Sequence, residues 1–275
     1  EAEALAAQGV RELNLIAQDL TAYGRERRDG TTLLALLRAL CRVEGIAWVR
    51  LLYCYPNYLD DSLLRCIAEE EKICSYLDMP LQHISDRMLR AMRREKSGDG
   101  IKRLLDRIRT QIPGVVLRTS FIVGFPGEQE EDFRQLLDFV SAAVIDHVGV
   151  FRYSQEEGTA AGVMPDQVPE EVKQERWQRL MERQARVVRR KNLALVGSEQ
   201  EVLVCGADTQ GRWWGRTRGQ APEIDGVVFL TRTRADSGQI IPARITGASG
   251  YDLRAREIAP ITQQVYPIDI GQVPL

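Results

Sequence analysis

Along the first 155 residues the apolar positions follow two alternating periods. Short runs rich in β-branched and aromatic residues, at 12–17 (ELNLIA), 48–54 (WVRLLYC), 76–81 (YLDMPL), 115–124 (VVLRTSFIVG) and 147–154 (HVGVFRYS), read as strands. Between them lie TTLLALLRALCRV, DDSLLRCIAEEEKI, SDRMLRAMRR, GIKRLLDRIRTQI and EEDFRQLLDFVSAAV, whose apolar residues recur at helical spacing. Asp60 and Ser85 stand where N-caps belong, and the acids from Glu128 onward suit a first helical turn. Strand and helix in strict alternation predict five parallel strands. The chain opens inside a helical pattern, EAEALAAQGV, so the expected fold is α/β: a partial (βα) barrel over 1–165, of the kind that closes in TIM barrels, with its first strand left off.

The pattern then changes twice. Residues 166–195 are charged and helical throughout and predict a connecting helix, with Pro169 near its start. From 196 to 258 the period is two, and valine, threonine, glycine and tryptophan dominate, which predicts a separate small all-β domain, an antiparallel barrel or sandwich. Residues 259–275 read only as an extended tail.

Composition narrows the function classes. Lysine and arginine total 37 against 39 acids, a formal charge of -2 that supplies no general field for a polyanion, and the β domain, with eight arginines and eight acids, is neutral as well. An electrostatic nucleic-acid binder is therefore disfavoured. No apolar run reaches the ~18 residues of a membrane span. Five cysteines, an odd number without a CxxC pair, exclude a disulfide framework and a zinc ribbon, and fit a reducing, cytoplasmic setting.

In parallel barrels the chemistry sits at the carboxyl ends of strands. The polar residues there are Gln18 and Asp19, Tyr53 and Tyr55, Gln82 and His83, the turn GFPGE at 124–128, and Tyr153 with Ser154. GFPGE reads as a tight βα turn in which glycine permits a positive φ or close approach of a ligand; its acids argue against a phosphate cradle. His83 fits a general base or a hydrogen-bonded structural histidine equally well. His147, among valines, reads as structural, and Trp213 with Trp214 as core of the β domain rather than a platform for bases. A Schiff-base aldolase is weak, because none of the five lysines lies at a strand end.

Taken together, LIAQDLTAYG, RLLYCYP, YLDMPLQHISDRMLRAMRR, RTSFIVGFPGE and FRYSQEEGTAA resemble the radical S-adenosylmethionine methylthiotransferases over residues 1–258. YSQEEGTAA, QVPEEVKQERWQRLMERQ and RTRGQAPEIDGVV resemble its RimO branch, which acts on an aspartate of small-subunit ribosomal protein 12, more than the branch that modifies transfer RNA adenosines. The resemblance implies a radical-SAM TIM-like barrel and a TRAM-like β domain. It further implies reductive cleavage of S-adenosylmethionine by an iron–sulfur cluster, a radical that takes hydrogen from the aspartate β-carbon, and transfer of sulfur and methyl. It also implies two 4Fe-4S clusters in the full-length enzyme. Their CxxxCxxC loop is absent from this sequence, so the ligands are expected elsewhere and this chain alone is expected to be inactive. Carried over by position, Gln18, Gln82, Arg118, Ser120, Gly124 and Ser154 would line the S-adenosylmethionine cleft, with Arg118 a carboxylate clamp or the partner of a helix acid. Glu223 and Asp225, in the acidic APEID turn, would face a basic protein partner. A non-catalytic ribosome-binding fragment is the reading from another class.

Overall fold

The computed structural model describes residues 1–27, 29–231 and 233–258; the tail expected at 259–275 lies outside them. A short helix α1 (Ala2–Ala7) leads into β1 (Glu12–Leu15), and then strand and helix alternate: α2 (Leu33–Cys41), β2 (Trp48–Leu51), α3 (Asp61–Glu69), β3 (Ile73–Asp78), α4 (Asp86–Ala91), α5 (Gly98–Gln111), β4 (Val116–Val123), α6 (Glu130–Ala143) and β5 (His147–Arg152). The five strands form one sheet in chain order, every neighbouring pair parallel.

Local chemistry explains most boundaries. Asp60 caps α3 by accepting from Leu63 N–H at 2.8 Å, as the sequence predicts. Ser85 does not cap α4; its hydroxyl instead donates to Asp132 at 2.6 Å, a helix away. The capping box falls at Gln129 and Asp132, starting α6. Strand β3 lies three residues earlier than the run 76–81. Ile73 and Cys74 are buried in the sheet, whereas Pro80 has no N–H to give a ladder.

Alternation divides the sheet into two faces. Val49, Leu51, Leu77, Leu117, Phe121 and Val123 point into the core beneath the helices, together with Leu64, Leu105, Phe133 and Leu136. The opposite, inner face carries Glu12, Arg50, Tyr76, Asp78, Arg118 and Ser120. The long helix α7 (Glu170–Ala194) is more than a connector. Its buried stripe, which includes Arg176, Leu180, Gln184 and Val187, lies along β5 and α6, and Trp177 Nε1 donates to Val150 O at 2.9 Å.

Five further strands, β6 (Glu199–Ala207), β7 (Trp213–Arg216), β8 (Val228–Thr231), β9 (Ile240–Ser249) and β10 (Asp252–Glu257), close into a barrel in the order β10-β8-β7-β6-β9. It is antiparallel except where β8 and β10, separated in sequence by β9, run side by side in the same direction. Trp213 packs on this barrel's own core. The small all-β domain expected from residue 196 onward is this barrel. The small barrel sits on the inner face of the parallel sheet, where Trp48, Leu52, Cys74 and Tyr76 form one buried cluster with its Leu203 and Ala221. The large apolar side chains of that face are buried beneath the small barrel, which favours the contact.

Candidate site at the strand ends and the sheet's inner face

The inner face is polar at its centre because Glu12, Arg50, Asp78 and Arg118 stand there among the larger apolar side chains. Glu12 is buried between two guanidiniums, Arg50 Nε at 2.8 Å and Arg216 of the small barrel. Arg50 also donates to Arg218 O at 2.6 Å. Beside them, Arg118 binds Asp78 at 2.9 Å and stands 3.5 Å from Asp225. Burial works against the charged Arg118, but Asp78 and Asp225 more than compensate and hold its pKa above the ordinary value. Tyr76 donates to Asp225 at 2.7 Å; burial first, then that carboxylate, drives its phenol well above the usual range. His147 Nε2 meets Gly219 O at 2.8 Å while its Nδ1 lies 3.4 Å from Asp225. The structural reading of His147 is the right one.

Two sequence-derived assignments change here. Asp225 has 1% of its side chain exposed, so it cannot present itself to a partner; in the APEID turn the exposed residues are Glu223 and Ile224. Arg118 is no free clamp, and its partners are a strand acid and the small barrel rather than a helix acid.

Toward the carboxyl ends the face opens. Gln82 N–H donates to Ser120 O and Gln82 O accepts from Ile122 N–H, both at 2.9 Å, so an isolated bridge extends β4's pairing to the rim. Gln82 adopts φ 70° and Tyr53 φ 56°, left-handed conformations that non-glycine residues hold only when their surroundings impose them. The Gln82 Oε1 atom is buried without a hydrogen-bond partner. Ile16 (65% exposed), Tyr53 and Phe151 (56%) leave apolar surface exposed at the carboxyl ends of β1, β2 and β5. Gln18 is exposed at the end of β1, and Ser154, also exposed, donates to Glu156 at 2.8 Å. Arg118 and Ser120 share the inner face, and Gln82 joins their strand at the rim, opposite Phe121.

Gly124 is held against α7. Its φ is 73°, its N–H is taken by the Glu128 carboxylate, and a Cβ there would meet Cγ of Lys173 on α7 at 2.2 Å. Gly127 N–H likewise goes to Asp166 O, at 2.8 Å, so this turn spends its donors internally and cradles no phosphate. His83 has no exposed side chain and is bonded to Glu128 and Ser85, which decides for its structural reading. Sequence reasoning missed Asp78, Tyr76, Glu12 and Arg50. Their signal was charge inside buried, otherwise largely apolar strands, Arg50 in WVRL and Asp78 in ICSYLD.

A groove of about 860 Å³ on the helical face is bordered by Arg87, Arg90, Lys102, Asp106, Arg109 and Asp138. It lies away from the strand ends, and none of its lining side chains leaves a buried polar atom unpartnered, so the site is not placed there.

The donor set does not fit an iron–sulfur cluster. Cluster ligation needs converging thiolates. Among the described residues no three His, Cys, Asp or Glu side chains come together as metal ligands. Burial raises the thiol pKa of all five cysteines, Cys41 to about 11, so the protonated form is favoured throughout.

Comparison with known proteins gives this geometry a context. Residues 196–258 match the TRAM domain family and residues 1–140 match the radical SAM superfamily. The chain is 52% identical over 255 residues to the ribosomal protein uS12 methylthiotransferase RimO of Pelobacter propionicus, covering 92% of this chain and 57% of that protein. RimO of Geobacter sulfurreducens is 51% identical with the same coverage. The chain therefore spans somewhat more than half the length of the curated relatives it matches. Among solved structures, the radical SAM enzyme coproporphyrinogen III oxidase (HemN) of Escherichia coli superposes with a TM-score of 0.51 over 89% of this chain and 58% of its own, at 16% identity, a likeness of fold alone. With a family match across 140 of its 275 residues, on a parallel sheet whose strand ends open on one side, the chain belongs to the radical SAM superfamily.

Proposed function

We propose that this chain is the barrel and TRAM portion of an enzyme that methylthiolates the β-carbon of an aspartate in small-subunit ribosomal protein 12. The observation that carries the reading is the 52% identity to RimO along 92% of the chain, through the sheet, α7 and the small barrel alike. S-adenosylmethionine would supply the radical and the methyl group. Gln82, Ser120, Gln18 and Ser154 are the residues offered for holding it. Gln82 Oε1 is a buried acceptor in want of a donor, which an ammonium or ribose hydroxyl provides, and the apolar rim of Ile16, Tyr53 and Phe151 suits the flat, half-apolar adenosyl group. No step is assigned to a cluster, because the donors of this chain do not fit one. Among the described residues no helix is long and apolar enough to cross a membrane, consistent with a ribosomal partner.

The two charged inner-face clusters give the small barrel a fixed seat, so its neutral surface moves with the sheet. A near-neutral module suits a protein partner better than RNA. Pull-down of purified ribosomal protein 12 and of an anticodon stem-loop by the full-length enzyme tests the reading. Capture of the protein is the expected result; salt-sensitive binding of RNA alone overturns it in favour of transfer RNA modification. For this chain by itself, dithionite with S-adenosylmethionine is expected to give no cleavage after iron reconstitution.

A further inference from the structure

Helix α7 reaches the rim through a single buried carboxylate. Glu128 has no exposed side-chain surface, and its carboxylate collects the Gly124 N–H, Arg176 Nη1 at 3.0 Å and His83 Nε2 at 3.2 Å. Arg176 also donates to the Glu128 carbonyl at 3.1 Å. Ser85 N–H donates to His83 Nδ1 at 3.0 Å, which makes Nδ1 the acceptor and leaves Nε2–H to face Glu128. One carboxylate thus joins the turn after β3, the turn after β4 and α7. Each turn holds a residue at positive φ, Gln82 beside His83 and Gly124 before Glu128. A buried carboxylate is tolerated only while its donors stay in place, so the cluster behaves as a unit.

We infer that Glu128, Arg176 and His83 are positioning residues that fix the Gln82 and Gly124 turns in the geometry that receives S-adenosylmethionine, which makes α7 part of the site's scaffold. None of the three touches the ligand. The inference rests on the proposed function for the identity of that ligand, but the turn geometry can be read without it.

The test uses the full-length enzyme with Arg176→Met, Arg176→Lys and, as a control, Arg179→Met, a partly exposed α7 residue that pairs with Glu130 and Glu175 rather than Glu128. Loss of the charged donor in Arg176→Met is expected to raise the S-adenosylmethionine Kd about tenfold by calorimetry and to speed hydrogen exchange of the Gly124 amide by a similar factor. Arg176→Lys is expected to restore most of both, and Arg179→Met to leave both unchanged. Unchanged Kd and exchange in Arg176→Met overturn the inference, as does an equal loss in Arg179→Met, which would mark general loosening. Should Arg176→Met fail to fold, Glu128→Gln takes its place, and an unchanged Kd there overturns the inference equally. Absence of S-adenosylmethionine binding by the wild type sinks the proposed function, while faster Gly124 exchange in Arg176→Met still supports the positioning role and unchanged exchange removes it.

Discussion

Tyr76 of β3 donates a 2.7 Å hydrogen bond to Asp225, 149 residues further along the chain. The same carboxylate accepts from Ala221 N–H at 2.8 Å and stands within 3.5 Å of Arg118 and His147. Three strands of the parallel sheet therefore converge on one acid of the small barrel. An acid that would be an ordinary turn residue in an isolated β domain becomes the peg on which that domain sits.

Tyr76→Phe removes one donor from a buried charged acceptor while keeping the ring in its apolar cluster. The expected cost is about 1.5–3 kcal/mol of unfolding free energy, read from the urea midpoint at unchanged slope. Asp225→Ala is expected to cost more, because Tyr76 loses its acceptor and Arg118 keeps only Asp78. A Tyr76→Phe midpoint equal to wild type would mean the bond is not made in solution.

The Glu12 carboxylate accepts from Arg50 through one oxygen and from Arg216 through the other, and Arg50 has no exposed side-chain surface. Glu12→Gln leaves two buried cations with no counter-charge. Breaking one member of such a cluster is expected to destabilise by about 3–5 kcal/mol. Pairing Glu12→Gln with Arg216→Met should recover part of the loss, since one stranded charge is then gone. Strict additivity of the two in a double-mutant cycle would show that the residues do not interact.

How far the sequence could be read depends on the range of each interaction. The strands and the Asp60 cap are local, set by period-two alternation and by one side chain reaching three residues on, and they were legible. Gly124 was legible as a special backbone position but not as to its reason. A glycine leaves room for a ligand or for another part of the protein, and the neighbour here is Lys173, 49 positions away. Asp225 was misread for the same cause. An acid among turn residues looks solvated until the fold brings Tyr76 and Arg118 to it. Gln82 was picked out as a strand-end residue, yet its strained φ and its unpartnered oxygen have no sequence signature.

Asp132 predicts a dependence on pH. Burial works to raise its pKa, but the Arg87 and Ser85 donors and the Gln129 N–H outweigh that and hold it below the usual carboxylate range. A carboxyl whose pKa is lower in the folded than in the unfolded state stabilises fully above the unfolded value, near 4, and loses that contribution as pH falls through the folded value. Asp132→Asn is therefore expected to lower Tm at pH 7, with the gap to wild type closing as pH drops below about 4. Thermal scans of both proteins from pH 7 to pH 3 check this. A gap that widens on acidification would contradict the assigned direction.

Gly124→Ala tests whether the turn after β4 is shaped by α7. Two costs act together. The backbone at φ 73° suits glycine and strains alanine by about 1 kcal/mol, and the new methyl would meet Lys173 Cγ at 2.2 Å, closer than carbon atoms approach. Overpacking of that kind adds about 1–3 kcal/mol. The clash can be relieved separately, because Lys173→Ala removes Cγ while leaving the helix its best former. In the double variant most of the steric part should go, leaving the Lys173 Cβ contact at 3.1 Å and the backbone part, so the two substitutions together cost less than the sum of each alone. Full additivity would show that Lys173 does not fill that space in solution, and that the glycine answers to backbone conformation only.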